Sequence, residues 1–207
     1  MTDWREDAIA FEEFEDGFGY KIKYDEGYEY DTRSFQIFAT EGSKRYIPVD
    51  VVLDPSDPDD VERKLDDAAY KLPLYLHAHS GVSISLDEFN DPWDSGQCGY
   101  AVLTKDDVKT FGFLEQNYDA ILRLEVENYD AYLRGSVVYW VVTKKETCDK
   151  CGHTDNKVID SLGGYTIVDF AKINDLIKED VLPAIEHHRN AMKEAEHAVA
   201  ATAIGND

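Results

Sequence analysis

The chain is poor in cysteine, poor in basic side chains and free of long apolar runs, and each shortage removes a class of protein. Only 3 of 207 residues are Cys. So few, and an odd number, argue against a disulfide framework and suit a reducing compartment. No run of 18 apolar residues occurs, and the opening MTDWREDAIAFEEFED is acidic where a secretory leader is basic and then apolar. Neither a membrane-spanning helix nor a signal peptide is therefore expected, and the expected location is the cytoplasm. Lys and Arg number 21 against 43 Asp and Glu, a net charge of −22. A surface so charged repels phosphate backbones and anionic membranes, which disfavours direct binding to nucleic acid or membrane. The chain has no Walker loop, no G-x-G-x-x-G and no G-x-S-x-G elbow, so no complete catalytic signature is present.

What is present supports a real core: 43% of residues are apolar and 12% aromatic. The length fits one α+β domain, residues 1–207, with a mainly antiparallel sheet flanked by helices and a long C-terminal helix. Its parts are an acidic β-rich segment (1–70), a central sheet and helix (71–168) and a C-terminal helix (169–207). The charge is skewed. Residues 1–70 hold 20 acids and 8 bases, residues 71–207 hold 23 and 13, so a third of the chain carries more than half of the net charge. Adaptation to high salt is a rival explanation of the same balance.

Residues 72–104, LPLYLHAHSGVSISLDEFNDPWDSGQCGYAVLT, carry the clearest pattern. Leu74, Leu76 and Ala78 alternate with Tyr75, His77 and His79; Ser80-Gly81 is a turn dipeptide; Val82, Ile84 and Leu86 resume the alternation. A hairpin is predicted, then a structured loop over residues 87–96, then a strand over 99–104. A loop so rich in Asp and Trp is either a functional loop or a corner closed by an Asx turn and a buried Trp.

The words HSG, PWDSGQ and the Gly-aromatic strand, with the later VENYDAYLRGSVVYWVV, resemble a set of uncharacterised proteins of phages, prophages and plasmids. The resemblance spans residues 72–142 and, more faintly, 160–165. It implies a mobile-element origin, with the cytoplasm of the host cell as the location, and carries no assigned activity.

Elsewhere, residues 21–24 and 34–40 alternate as strands, and a short strand is expected at 45–47 before Pro48. Pro58 with first-turn acids predicts a helix over 59–70, with Val61, Leu65 and Ala69 inward. A short helix is predicted at 105–111 and a stronger one at 117–134, stopped by Gly135. A buried strand follows at 136–143, a polar loop at 144–156 and a return strand at 164–168. The last helix starts near residue 170 or 174 and runs to 203, with Pro183 as a kink point. Its alanine-rich half (Ala191, Ala195, Ala198, Ala200, Ala201) suits packing on a partner, including a second copy.

Three constellations could carry chemistry. Cys148, Cys151 and His153 form half a zinc knuckle with a third candidate ligand; the fourth would have to be Cys98, His77 or His79, and two free thiols are the alternative. His77 and His79 share one strand face and, with Asp87, Asp91 or Asp94, could bind metal or run acid–base chemistry; a polar strand face is the plainer reading. Cys98 needs a nearby base to act as a nucleophile, which those histidines would supply; otherwise it is a small core residue.

The acids Asp25, Glu26, Glu29 and Asp31, and Asp54, Asp57, Asp59, Asp60, Glu62, Asp66 and Asp67, form two clusters. Carboxylates spaced ~5–6 Å apart on a helix face are the protein pattern nearest to the charge row of duplex DNA. The leading expectation is a non-enzymatic interaction protein that binds a basic host nucleic-acid-binding protein, as a DNA mimic blocking a restriction or CRISPR-type defence. The second is a metal- or cysteine-dependent enzyme around His77, His79 and Cys98. Zinc is the one cofactor with candidate ligands.

Overall fold

The computed structural model describes residues 7–30, 33–167 and 169–204. In chain order the strands are Ala10–Glu13 (β1), Phe18–Tyr24 (β2), Gln36–Thr40 (β3), Val51–Leu53 (β4), Ala68–Ala78 (β5), Val82–Ser85 (β6), Ser95–Thr104 (β7), Val137–Thr147 (β8) and Thr154–Thr166 (β9). The helices are Pro58–Leu65 (α1), Lys105–Phe111 (α2), Tyr118–Leu133 (α3), Phe170–Leu176 (α4) and Leu182–Ile204 (α5). The fold class is α+β, mainly antiparallel, with a long C-terminal helix, as the patterning predicts. Two compact units form: an outer one from Met1–Tyr28 and Val137–Asp207, and an inner one from Glu29–Ser136.

The outer unit is an antiparallel sheet in the order β1-β2-β8-β9. Phe18, Tyr20 and Ile22 on β2, and Val138, Trp140 and Val142 on β8, recur every second residue and so share one face. That face packs on Ile173, Leu176, Val181 and Ile185, which recur at helical spacing. Each fully buried aliphatic side chain contributes ~1.5–3 kcal/mol, so this stripe decides where the helix lies. Residues 177–181 form a π-helical turn between α4 and α5. The wider turn lies where Pro183 has no N–H for the carbonyl four residues earlier, so the expected kink is absorbed there. Arg189 fastens α5 to the β1–β2 turn, with bonds of 2.6 and 3.2 Å to Asp16 and its guanidinium over the Phe14 and Phe18 rings. His188 reaches Asp160 at 3.0 Å.

The inner unit holds the sheet β4-β3-β7-β5-β6, antiparallel except for the β3–β4 pair. Ile37, Leu74, Ile84, Ala101 and Leu103 face Leu122, Val126 and Tyr129 of α3. Phe38 and Val102, one residue out of phase, face Leu65 of α1 on the other side. The sheet is thus covered by a helix on each face. Asp130 pins α3 to β6, accepting from Ser83 Oγ (2.6 Å) and the Ile84 N–H (2.8 Å).

Four expectations change. Residues 41–45 make a 3-10 turn, and the strand comes later, at β4. Helix α1 stops at Leu65 instead of continuing to Tyr70, because Ala68 and Tyr70 pair with Thr104 and Leu103 of β7. Residues 144–156, read as a polar loop, extend β8 and β9 into a long hairpin. The return strand spans Thr154–Thr166 instead of 164–168, and Val168 lies outside the described residues.

Candidate functional site

The PWDSGQ segment is a frame that holds one tryptophan out. Asp91 folds back so that its carboxylate accepts the Trp93 N–H at 3.1 Å and meets His77 Nε2 at 3.4 Å. Ser95 Oγ donates to the Asp91 carbonyl. The Asp94 carbonyl takes the Ala78 N–H at 3.0 Å, and its carboxylate sits 2.8 Å from His79 Nδ1. Each residue flanking Trp93 is thus tied to β5 or to the start of β7, yet Trp93 itself is 92% exposed. Sequence reasoning set a buried corner tryptophan beside a functional loop; this loop closes its corner with Asp91 and leaves the indole outside. No periodicity could have shown that. Asp91 and Asp94 lie within two residues of Trp93 in the chain, whereas Asp87 lines a separate hollow with Arg123 and Glu88 accepts from the Tyr75 hydroxyl.

The Trp93 N–H, with the His77 side chain also contributing, lowers the Asp91 carboxyl below its ordinary 3.8. A lowered folded-state value stabilises the loop above the unfolded value, and the contribution is lost as pH falls through the lowered one. The Trp93 emission, isolated as wild type minus Trp93→Phe, is therefore expected to hold from pH 7 to about 4 and to change below that. Asp91→Asn is expected to show the changed emission at every pH.

Two adjoining hollows lie beside this loop. One, of about 560 Å³, is lined by Leu53, Val61 and Leu65 with Glu62, Lys71 and Tyr100. The other, of about 390 Å³, is lined by Ser43, Tyr46, Leu76, Trp93 and Asp94. Thr40, Gln97 and Cys98 line both, so the two adjoin at the start of β7; the pair, from α1 to Trp93, is termed the trough. Its α1 end is mainly apolar, and its Trp93 end is polar with Asp94 as the one acid that lines it.

The predicted acidic residues divide by role. Asp57 caps α1 by accepting the Asp60 N–H. Asp60 is only 7% exposed and pairs with Arg63 and Lys64, which hold its carboxyl below the usual range, Lys64 first. Asp54 is turned onto Ser56. Those three serve the local fold. Asp59, Glu62 and Asp66 are exposed at i, i+3 and i+7, one stripe of α1 and its C-cap, with Asp67 exposed beside Lys105. Asp25 and Glu26 belong to the outer unit and Glu29 to the inner one. Asp31 lies outside the described residues.

Cys98 corrects the nucleophile expectation. It occupies a bulge in β7 between Gly99, opposite Leu74, and Gln97, opposite Tyr75. Its side chain joins the α3-facing core and donates to the Leu74 carbonyl, whereas His77 and His79 lie on the opposite pleat. Burial pushes its thiol up to about 11. In the native protein, a thiol reagent at pH 8 is expected to titrate Cys148 and Cys151, both exposed, at once, and Cys98 only after denaturation. A third rapid thiol would contradict this placement.

Cys148, Cys151 and His153 sit at the β8–β9 turn, in the outer unit, while Cys98, His77 and His79 belong to the inner one. Among the described residues, no group of three or more His, Cys, Asp or Glu is arranged to hold a metal ion. Also among them, no helix is long and apolar enough to cross a membrane. Comparison with protein-family models, curated proteins and solved structures found no match to this chain.

Proposed function

We propose that this chain is a non-enzymatic interaction protein of a phage or other mobile element, and that its trough binds a basic nucleic-acid-binding protein of the host. The observation that carries the proposal is Trp93, 92% exposed on a loop tied down on both sides, with the acids Asp91 and Asp94 next to it in the chain. A large aromatic in water loses apolar contact that a partner would restore, and a tied loop loses little entropy on binding. Tryptophan is the residue most enriched among interface anchors. The neighbouring carboxylates of Asp91 and Asp94 select a cation, and an arginine over the indole adds a cation–π contact. The apolar α1 end of the trough suits the aliphatic stems and apolar neighbours of a basic segment.

The DNA-mimic form of this reading, in which a restriction or CRISPR-type complex is blocked, is supported by the Asp59, Glu62 and Asp66 stripe. Duplex DNA should compete with the chain for the same partner. The test is capture from host lysate at about 0.1 M and about 1 M salt, where screening lengths are ~10 and ~3 Å, with duplex DNA as competitor. A basic protein held at low salt, released at high salt and displaced by DNA supports the proposal. Capture indifferent to salt, or of neutral proteins only, refutes it.

A further inference from the structure

The tip of the β8–β9 hairpin has a construction that the trough does not use. Strand β2 pairs with β8 only as far as Lys144; beyond it Lys145, Glu146 and Thr147 face Asn156, Asp155 and Thr154 as a two-stranded arm. The arm buries little, and is held by its main-chain ladder, a Thr147–Thr154 hydroxyl bond of 3.0 Å and a Lys157–Glu146 pair of 3.3 Å. Residues 148–153 close it tightly. The Cys148 N–H donates to the His153 carbonyl and the Gly152 N–H to the Cys148 carbonyl, both at 2.8 Å. Gly152 takes φ 70°, a conformation costly for any residue with a Cβ.

Inside this turn the Cys151 side chain and the backbone N–H groups of Lys150 and Cys151 lie within hydrogen-bonding reach of Cys148. Both thiols are free and exposed. A C-x-x-C pair on a tight turn, with backbone N–H groups aimed at one sulfur, supplies two thiolate ligands to one tetrahedral ion. Structural zinc takes four ligands, and among the described residues no third His, Cys, Asp or Glu joins the pair.

We propose that two copies of this chain meet tip to tip and share one zinc ion through Cys148 and Cys151 of each. A second copy brings an identical half-site, and a two-fold axis through the ion closes the assembly. Charge points to the same partner. On a chain of net −22, residues 144–157 hold four lysines (Lys144, Lys145, Lys150, Lys157) against Glu146, Asp149 and Asp155. On the arm two such acidic molecules therefore repel little, and Lys150 from each copy offsets the negative charge of a four-thiolate zinc centre.

The experiment uses the full chain, reduced, stripped with a chelator and titrated with zinc alone, with mass followed by sedimentation. Saturation at one zinc per two chains, a doubling of mass with zinc and its reversal by chelator are expected. Cobalt in place of zinc should show the charge-transfer absorption of tetrahedral thiolate ligation. Cys148→Ser and Cys151→Ser should each abolish uptake and dimerisation with unchanged far-ultraviolet dichroism, and His153→Ala should keep both. Saturation at one zinc per chain, loss of uptake in His153→Ala, or no uptake at all would overturn the proposal. So would a dimer that persists with chelator, as packing through the alanine-rich half of α5 would give. None of these readings depends on Trp93, so either proposal can fail without the other.

Discussion

Gly99→Ala is expected to destabilise the inner unit by about 3 kcal/mol or more, at the upper end of what overpacking costs. A Cβ at Gly99 would lie 2.0 Å from the Phe38 carbonyl oxygen and 2.6 Å from the Ala39 Cα, both backbone atoms of the neighbouring strand. No rotamer change relieves such a clash. Strand β3 would have to move away, yet Phe38↔Tyr100 and Ala39↔Gly99 are two of the four rungs of its pairing with β7. The same strand supplies the control. A Cβ at Gly96 meets nothing within 4 Å, so Gly96→Ala should change stability by less than about 1 kcal/mol. Urea unfolding of both variants decides the matter: a much lower midpoint for Gly99→Ala alone is predicted, with the slope unchanged. Equal midpoints would show that the β3–β7 contact is looser than described.

Trp93→Ala should weaken partner binding by about 2–4 kcal/mol, roughly 30- to 1,000-fold, and leave folding untouched. The two effects separate because the indole is 92% exposed and contributes almost no buried area to the isolated chain. A substitution at the neighbouring acid should behave differently. Asp94→Asn removes one rim charge of the Trp93 hollow, which slows association and flattens the salt dependence more than it shortens the lifetime of the complex. Affinity for the captured partner, measured with its rate constants, distinguishes the two classes. A Trp93→Ala complex as tight as wild type would leave the trough without an anchor.

Patterning made some elements plain and left others hidden, for physical reasons. The hairpin around Ser80-Gly81, β3 and α3 each bury one face, and their periods of 2 and 3.6 are visible in the residues. The β8–β9 arm buries little, so KKET and TDNK carry no apolar alternation and read as loop, although their backbones pair throughout. The end of α1 is set from outside: Ala68 is taken by Thr104, a partner 36 positions away that local propensity cannot sense. The nesting of the inner unit within the outer has the same cause, since β2 meets β8 more than a hundred residues later without a linker to mark either junction.

The acidic residues were found by counting, but counting could not sort them. Asp60 looks like its neighbours in sequence, and only the reach of Arg63 and Lys64 from one helical turn on turns it inward. Cys98 and the two histidines were close in sequence and read as a possible dyad. The pleat of the sheet sends them to opposite faces, and the β7 bulge fixes which residue is displaced. Trp93 was seen, yet its exposure follows from Asp91 and Ser95 closing the corner in its place.

The most direct test of a cationic partner seated on the Trp93 loop is photocrosslinking from position 93 in the full chain, in host lysate, with a crosslinker at position 114 as control. Leu114 is also exposed, at 60%, but lines neither hollow of the trough. The account predicts a 93-specific adduct with a basic nucleic-acid-binding protein, lost at high salt. Adducts identical from both positions, or a 93-specific adduct with an acidic protein unaffected by salt, would contradict it.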